Sequence, residues 1–236
     1  MSSPQIPKQA SQFVESVLAL HLGIAVFDCD GTLWSGDAGR DFFYWEIEHG
    51  IVSPQVADTM RERYRLYEVG EVGEESMCGE MVTMHHGLAT DDLHRAAEEF
   101  FVEVVSHRIF PEMLELTHRL VDHGCELWAV SSTNNWVVEA AATRFRIARD
   151  HVLAASIHVE DGRASNRLLR VPTDELKALA IREVIGKPVD GVFGNSIHDH
   201  AMLEIAKHPF CINPNPDLVR AAEEKNWPIY WPTGAR

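Results

Sequence analysis

The chain has 236 residues, of which 45% are hydrophobic and 24% are charged. This length suits one α/β domain with an insertion, or two modest domains. Lys and Arg number 21 against 36 Asp and Glu, which gives a formal net charge of −15 when His is neutral. Nucleic-acid binding needs clustered positive charge, and the longest basic cluster here is RERYR at 61–65. The composition therefore argues against a nucleic-acid partner.

Cysteine spacing and hydropathy bear on the compartment. The four cysteines show no C-x-x-C spacing, which predicts reduced thiols in a cytoplasmic protein. The first residues lack a basic segment followed by an apolar one, and no apolar run approaches the roughly 20 residues that cross a bilayer. We expect a cytoplasmic protein without a membrane partner, whose oligomeric state the sequence does not determine.

A short helix is predicted near 11–20, followed by an apolar strand at 24–28 that runs into DCDGT. Alternate side chains of an extended segment share a face, so Asp28 and Asp30 are expected to point the same way. Two acids at the carboxyl edge of a parallel strand suit a hard cation, or a nucleophile beside an acid. Gly31 permits a sharp turn there, and an ordinary Asp-Gly turn is the simpler alternative.

Residues 37–108 have helical periodicity and almost no strand signal. They predict four helices, with Thr90 or Asp91 as the N-cap of the last. An all-helical insert directly after a candidate catalytic strand is well placed to act as a lid. His85 and His86 lie about 100° apart on a helix, which suits no common pair of metal ligands. We expect them at the surface or at the cap interface.

The remainder of the chain alternates strands and helices. Strands are predicted at 126–130 and 189–194, and helices near 134–145 and 173–185. Such alternation favours a doubly wound parallel sheet. A hairpin turn is expected at Asp161-Gly162. The predicted fold class is thus α/β, with a core of residues 1–36 and 109–236 and a helical cap of residues 37–108.

Polar residues follow later strands of this core. Ser131 and Ser132 offer hydroxyls and backbone N–H groups at a strand-to-helix junction, which is a natural anion site. Lys177 lies on a predicted helix, and Asn195 and Asp199 follow the strand that ends at Gly194. Each alone has a simpler explanation, such as helix capping, a solvated lysine or an ordinary turn. Together they bring hydroxyl, ammonium and further oxygen groups to the same sheet edge as Asp28.

With these residues in order, the chain resembles the haloacid dehalogenase superfamily, in its phosphoserine-phosphatase-like branch with a helical cap after the first strand. DCDGT is similar to the first motif, Ser131 to the second, Lys177 to the third and GNSIHDHAML to the fourth. The resemblance covers nearly the whole chain. It implies a Mg²⁺-dependent phosphomonoesterase in which Asp28 attacks phosphorus and Asp30 protonates the leaving alcohol, then activates water.

The same resemblance implies the remaining roles. Ser131 and Lys177 would hold phosphoryl oxygens, and Mg²⁺ would lie between Asp28, Asp30 and the fourth motif. The expected metal ligands are Asp28, Asp30, Asn195 and Asp199, and the expected substrate-binding residues are Gly31, Thr32, Ser132 and Asp37. An aspartate is more usual at position 195. Because an amide brings no charge, Asn195 predicts weaker metal binding or a larger role for Asp199.

The expected substrate is a small phosphorylated metabolite. Asp37 follows Asp28 by nine positions, where phosphoserine phosphatases place a carboxylate that meets the substrate's amino group, although helix capping is the simpler role. A cationic leaving group would suit phosphoserine, phosphoethanolamine or phosphocholine, with Trp34, Phe42 or Trp45 available for a cation–π contact. The alternatives are a phosphotransferase or mutase of the superfamily, and a catalytically weakened phosphate-binding regulatory protein.

Overall fold

The computed structural model describes residues 7–234, which build a seven-stranded sheet. The strands are β1 (Ile24–Phe27), β2 (Glu126–Asn134), β3 (Val152–Glu160), β4 (Arg163–Arg170), β5 (Gly191–Gly194), β6 (His208–Ile212) and β7 (Ile229–Tyr230). Their order is β4-β3-β2-β1-β5-β6-β7, and every neighbouring pair is parallel except β3 with β4. The predicted α/β class with a doubly wound parallel sheet is confirmed, and β1 lies at its centre.

Ten α-helices surround the sheet in the described part of the chain. They are α1 (Lys8–Leu18), α2 (Ala38–Glu48), α3 (Pro54–Glu68), α4 (Glu74–Thr83), α5 (Thr90–Glu103), α6 (Pro111–Asp122), α7 (Asn135–Ala142), α8 (Asp174–Val184), α9 (His200–Glu204) and α10 (Pro216–Lys225). Across residues 7–234, none of them combines the length and the apolar character needed to cross a bilayer.

The central strand is apolar on both faces. All four residues of β1 are buried, as expected for a parallel strand that is covered by helices on both sides. Ala25 and Phe27 belong to an apolar cluster that includes α1, α6 and α7, whereas Ile24 and Val26 belong to one that includes α8, α9 and α10. Phe27 stacks on Phe193 of the neighbouring strand at a ring distance of 4.4 Å. This packing fixes the position of the end of β1, from which the chain continues to Asp28.

Helices α2 to α5 occupy the interval that the sequence predicts to be helical, and three of them share an apolar cluster of their own. Phe43, Met60 and Met77 are buried in it. The buried face of α5 instead joins the main core, where the helix packs against α7. The N-cap of α5 is Ala89, without a side-chain cap, so the expectation of Thr90 or Asp91 there is wrong. The Thr90 hydroxyl donates to the Gly162 carbonyl instead.

The predicted hairpin turn is confirmed. Asp161 and Gly162 both have positive φ, at 49° and 71°, as a two-residue hairpin loop requires. The hairpin contacts the helical region through Thr90 N–H on the Gly162 carbonyl and Gly87 N–H on the Ala164 carbonyl. It therefore supports α4 and α5 from the edge of the sheet.

One of the two adjacent histidines differs from expectation. His86 is exposed, whereas His85 has no exposed surface, so the surface position expected for His85 is wrong. Its Nε2 lies 2.7 Å from Oε2 of Glu46, which is also buried. Adjacent residues at a helix end point in different directions, and Glu46 on α2 supplies the polar partner that lets this imidazole lie inside the helical region.

Candidate active site

The first motif turns sharply where β1 ends. The Asp28 N–H donates to the Phe193 carbonyl, which continues the strand pairing by one residue. Its carboxylate is buried and accepts from Lys177 Nζ at 2.8 Å and from Thr32 Oγ1 at 3.0 Å. Gly31 has φ of 75°, and a Cβ there would lie 1.9 Å from Nδ2 of Asn195. Only glycine lets this loop lie under Asn195.

Lys177, the third motif, joins the first and fourth motifs. It is 3% exposed, and its Nζ donates to Asp28 and, at 2.6 Å, to Oδ1 of Asp199. The other Asp199 oxygen accepts from the backbone N–H groups of Asn195 and Ser196. One buried ammonium therefore serves two buried carboxylates. Burial and the charge of Asp199 raise the pKa of Asp28 from 3.8 to about 7, and Lys177 offsets this only in part.

Asp30 is held by three donors from different parts of the chain. Its Oδ1 accepts from Trp34 Nε1 and from the Ala38 N–H, both at 2.7 Å. Its Oδ2 accepts from Thr133 Oγ1 at 2.6 Å. Burial, followed by the charge of Asp37, raises the pKa of Asp30 from 3.8 to about 6, although all three hydrogen bonds oppose the shift. The carboxyl group thus lies at the junction of β1, the start of α2 and the end of β2.

The end of β2 supplies hydroxyl groups. Ser131 is 2% exposed, and its Oγ accepts from the Thr133 N–H at 3.1 Å. The Asn134 side chain accepts from the Trp136 N–H and so caps α7, whose N-terminus follows directly. A Cβ on Gly39 would lie 2.8 Å from Thr133 Oγ1, so glycine allows α2 to approach this loop closely. Hydroxyls at a helix N-terminus suit an anion.

A small cavity of about 80 Å³ lies between the helical region and the end of β2. Asp37 is at its edge, where Oδ1 accepts from the Arg40 N–H and caps α2. Asp37 therefore caps a helix, as the simpler interpretation predicts, and it also lines the cavity. The complete lining is Asp37, Gly39, Arg40, Tyr64, Tyr67, Glu74, Met77, Cys78, Met81, Ser132, Thr133 and Asn134.

The aromatic residues at this cavity are not the expected ones. Trp34 and Phe42 are each 1% exposed and Trp45 is 7% exposed, and all three belong to the main apolar core. The proposed cation–π contact with these rings is therefore wrong, because their faces are covered by core side chains. Tyr64 and Tyr67 line the cavity instead. Tyr64 and Tyr67 are spaced so that they share one face of α3, but the sequence does not show that this face lines a cavity.

Oxygen atoms converge between the first and fourth motifs. The Asn195 backbone N–H bonds Asp199, its carbonyl accepts from the Asn215 N–H, and its carboxamide lies against Gly31. The Asn195 carboxamide thus lies next to the Gly31 turn of the first motif. A set made only of carboxylate, carbonyl and amide oxygens fits Mg²⁺. Asp199 accepts three hydrogen bonds and Asp28 accepts two, so Asp199 has fewer lone pairs left for a metal.

A second polar cluster joins the helical region to the core beside the fourth motif. His198 Nδ1 lies 2.7 Å from Asp174 Oδ1 and 3.3 Å from Glu74 Oε2. Glu74 begins α4 and also lines the cavity. The His198 imidazole therefore connects the first turn of α4 to α8.

Comparison with known proteins agrees with this geometry. Residues 25–204 match the family of haloacid dehalogenase-like hydrolases. A histidinol-phosphatase from Neisseria meningitidis serogroup C is 23% identical over 219 residues, covering 87% of this chain and 97% of that protein. Phosphoserine phosphatase SerB1 of Mycobacterium tuberculosis is 24% identical over 221 residues, covering 87% of this chain and 69% of that protein. A crystal structure of a protein of unknown function from Bordetella pertussis superposes with a TM-score of 0.74 at 22% identity, covering 87% and 96%.

Proposed function

Because the chain belongs to the haloacid dehalogenase-like hydrolase family and is a phosphoric monoester hydrolase, we propose that it is a Mg²⁺-dependent phosphatase that forms an aspartyl-phosphate. The observation that carries the proposal is the pairing of Asp28 with Lys177 at the sheet edge, beside an Asp30 held by three donors. The arrangement supports this mechanism because two buried carboxyl groups and a fixed cation lie within one small region.

In the first half-reaction, an Asp28 carboxylate oxygen forms a bond to phosphorus and the bond to the leaving alcohol oxygen breaks. Lys177 offsets the charge of the phosphoryl group as it approaches Asp28. Asp30 supplies the proton that the leaving oxygen needs, and its raised pKa of about 6 makes the protonated form accessible near neutral pH. In the second half, Asp30 takes a proton from water, whose oxygen attacks phosphorus and releases phosphate and free Asp28.

The metal would be held by the Asp28 carboxylate, the Asp30 backbone carbonyl and the Asn195 carboxamide. When bound, Mg²⁺ would supply positive charge beside the phosphoryl group. Asp199 would act mainly by positioning Lys177, since its two oxygens bond Lys177 and two backbone N–H groups. The Ser131 hydroxyl and Lys177 would bind phosphoryl oxygens. The Gly31, Thr32 and Ser132 segments would surround the rest of the phosphate.

The leaving group would extend from Asp30 into the neighbouring cavity and carry a cation. Thr133 supports this path because it bonds Asp30 and also lines the cavity. Asp37 and the two tyrosines offer a carboxylate and aromatic rings to a cation. Two relatives, named a histidinol-phosphatase and a phosphoserine phosphatase, are in keeping with a substrate that contains an amine.

Helices α2 to α5, within residues 37–108, would form the cap over this site. The chain enters and leaves them through adjacent segments, where Ser35 N–H donates to the Arg108 carbonyl and Phe110 N–H to the Leu33 carbonyl. Such a paired connection can bend as a hinge. The Glu74–His198 contact would hold the cap to the core when it is closed.

The test is a panel of phosphomonoesters assayed for phosphate release with Mg²⁺ and with EDTA. We expect hydrolysis that needs the metal and produces one phosphate for each alcohol. Loss of free phosphate when a second alcohol is added, with a new phosphomonoester formed, would favour a phosphotransferase. Phosphate-analogue binding without turnover of any substrate would favour a binding protein.

A further inference from the structure

The cavity beside Asp30 contains more negative than positive charge. Asp37 and Glu74 are its two carboxylates, and within the described residues 7–234 Arg40 is the one cation of its lining. Glu74 is also close to His198, which offsets part of its charge. Oδ1 of Asp37 accepts from the backbone N–H of Arg40. An amine or another organic cation would be attracted here.

The cation of the lining is already engaged. Nε and Nη2 of Arg40 both donate to Oδ1 of Asp41, at 3.2 Å and 3.0 Å. Nε and Nη2 form one of the edges through which a guanidinium can bind a carboxylate. Asp41 is itself fixed, because its Oδ2 accepts from Nη1 of Arg108. A carboxylate on the substrate would therefore have to displace Asp41 to use this edge of Arg40.

The remaining walls leave little room for a second charged group. Met77, Cys78 and Met81 form an apolar side, and the tyrosines present neutral phenols because burial raises the pKa of Tyr64 and Tyr67 well above neutral pH. A cavity of about 80 Å³ holds roughly two or three waters at about 30 Å³ each. A short chain ending in an ammonium group fits this volume and these walls.

We infer that the cavity selects the phosphomonoester of a short amino alcohol and rejects the matching amino acid phosphate, which carries an additional carboxylate. The carboxylate would meet Asp37 and Glu74 as like charges, while the Nε–Nη2 edge of Arg40 is occupied by Asp41. The selectivity thus has two sources. Asp37 and Glu74 attract the amine, and the Arg40–Asp41 ion pair reduces the attraction of Arg40 for a substrate carboxylate. This inference rests on the proposed phosphatase activity.

Phosphoethanolamine and O-phospho-L-serine differ only by a carboxylate, which makes them the matched pair for the test. We expect wild-type kcat/KM to favour phosphoethanolamine by about tenfold or more, since a like-charge contact costs at least one decade in affinity. Glycerol 3-phosphate, whose leaving group is neutral, is the third substrate. A preference for phosphoserine would overturn the inference while leaving the phosphatase intact. If none of the three substrates is hydrolysed, the phosphatase proposal itself would be contradicted.

Variants examine the ion pair directly. Asp41→Asn should release Arg40 and raise kcat/KM for phosphoserine relative to phosphoethanolamine, and adding Arg40→Gln should remove that gain. Glycerol 3-phosphate hydrolysis reports whether each variant is folded. If Asp41→Asn does not fold, Arg40→Gln alone decides, because it should change both amine substrates by a similar factor. A loss confined to phosphoserine in Arg40→Gln would mean that Arg40 already binds the carboxylate, and the inference would be wrong.

The second acid gives an independent test. Glu74→Gln should lower kcat/KM for phosphoethanolamine several-fold more than kcat/KM for glycerol 3-phosphate, because only the cationic leaving group loses an attraction, whereas loss of the Glu74–His198 contact affects both substrates alike. Equal losses on both substrates would show that Glu74 only holds the cap in place, and the amine would not be recognised by this pair of acids.

Discussion

Two clusters of buried ionisable side chains lie in different parts of the molecule. They differ in how their charges are paired. At the sheet edge, Lys177 is bonded to Asp28 and Asp199, so two carboxylates share one ammonium. In the helical region, Glu46 is bonded to His85, and both are almost completely buried. Burying a charge without a partner destabilises the folded state, and in both clusters each buried carboxyl group has a hydrogen-bonding partner.

The two clusters differ in charge balance. His85 Nδ1 lies 3.2 Å from the Val82 carbonyl, which can only accept, so Nδ1 carries a hydrogen. His85 Nε2 faces Glu46, so one imidazole is matched with one carboxyl group and both are satisfied without any ligand. The sheet-edge cluster keeps a surplus negative charge, and burial together with the charge of Asp199 raises the pKa of Asp28. A buried cluster with surplus charge is prepared for a counter-ion or a proton, whereas a balanced one only stabilises the fold.

The sharpest way to break this comparison is Asp28→Asn. An amide cannot form the aspartyl-phosphate, so we expect turnover to fall by more than about a hundredfold, to what binding and charge stabilisation alone sustain. The fold should survive, because the change removes surplus negative charge from the interior. Phosphate release and the thermal unfolding temperature would be measured together. Activity above about a hundredth of wild type would mean that Asp28 is not the nucleophile.

Lys177→Met should destabilise as well as inactivate. It leaves Asp28 and Asp199 buried without a cation, and breaking a buried ion pair on one side typically costs about 3–5 kcal/mol. Urea unfolding in EDTA gives the free energy of unfolding, and Asp28→Asn in the Lys177→Met background should recover part of the loss. An unchanged free energy in the single variant would show that water already reaches this cluster.

In the cap, Glu46→Ala should affect stability without removing catalysis. His85 then loses its partner, and an unsatisfied buried polar group together with the small cavity costs about 2–4 kcal/mol. Well below the unfolding temperature, we expect kcat on the best phosphomonoester to remain close to that of wild type. Should kcat fall as steeply as in Lys177→Met, the distinction between a ligand-binding cluster and a structural pair would be lost.

The folding pattern follows largely from local sequence signals. Alternating apolar runs and helical periods predict the parallel sheet, and the strand before DCDGT places Asp28 at its carboxyl edge. Lys177, Asn195 and Asp199 follow from their order along elements that return to the same edge. The hairpin at Asp161-Gly162 is also encoded locally, since both residues accept positive φ.

Contacts between distant elements are not encoded in this way. Asp30 receives donors from Trp34, Ala38 and Thr133, and only the i,i+4 spacing of Trp34 gives a local hint. Tyr64, Tyr67 and Glu74 reach the cavity through the packing of α3 and α4, which periodicity does not specify. The burial of His85 likewise depends on Glu46, 39 residues earlier in the chain. Tertiary packing decides which of many polar residues become partners.

The surplus charge also predicts a pH dependence of stability in metal-free protein. The folded-state pKa of Asp28 is about 7, against 3.8 for an ordinary aspartate. The folded protein therefore holds a proton that the unfolded chain has released, and the resulting stability is complete below about pH 4 and is lost as pH rises towards 7. Unfolding temperatures in EDTA should show Asp28→Asn gaining on wild type across that window and levelling off above it. A difference independent of pH would mean that Asp28 is ionised throughout.

The smallest expected effect concerns Asn195, which has a neutral carboxamide at a position where an aspartate is more usual. Asn195→Asp adds a negative charge beside Asp28 and Gly31, so Mg²⁺ should bind more tightly because the attraction between opposite charges grows. The same charge repels the incoming phosphate, so kcat is not expected to rise. Titration of activity with Mg²⁺ would measure the apparent affinity, and Ser196→Ala is a neighbouring control that leaves the charge unchanged. If the apparent affinity is the same in Asn195→Asp and wild type, position 195 lies outside the metal's ligand set, and the surplus charge at the sheet edge is neutralised through Asp28 and Asp199 instead.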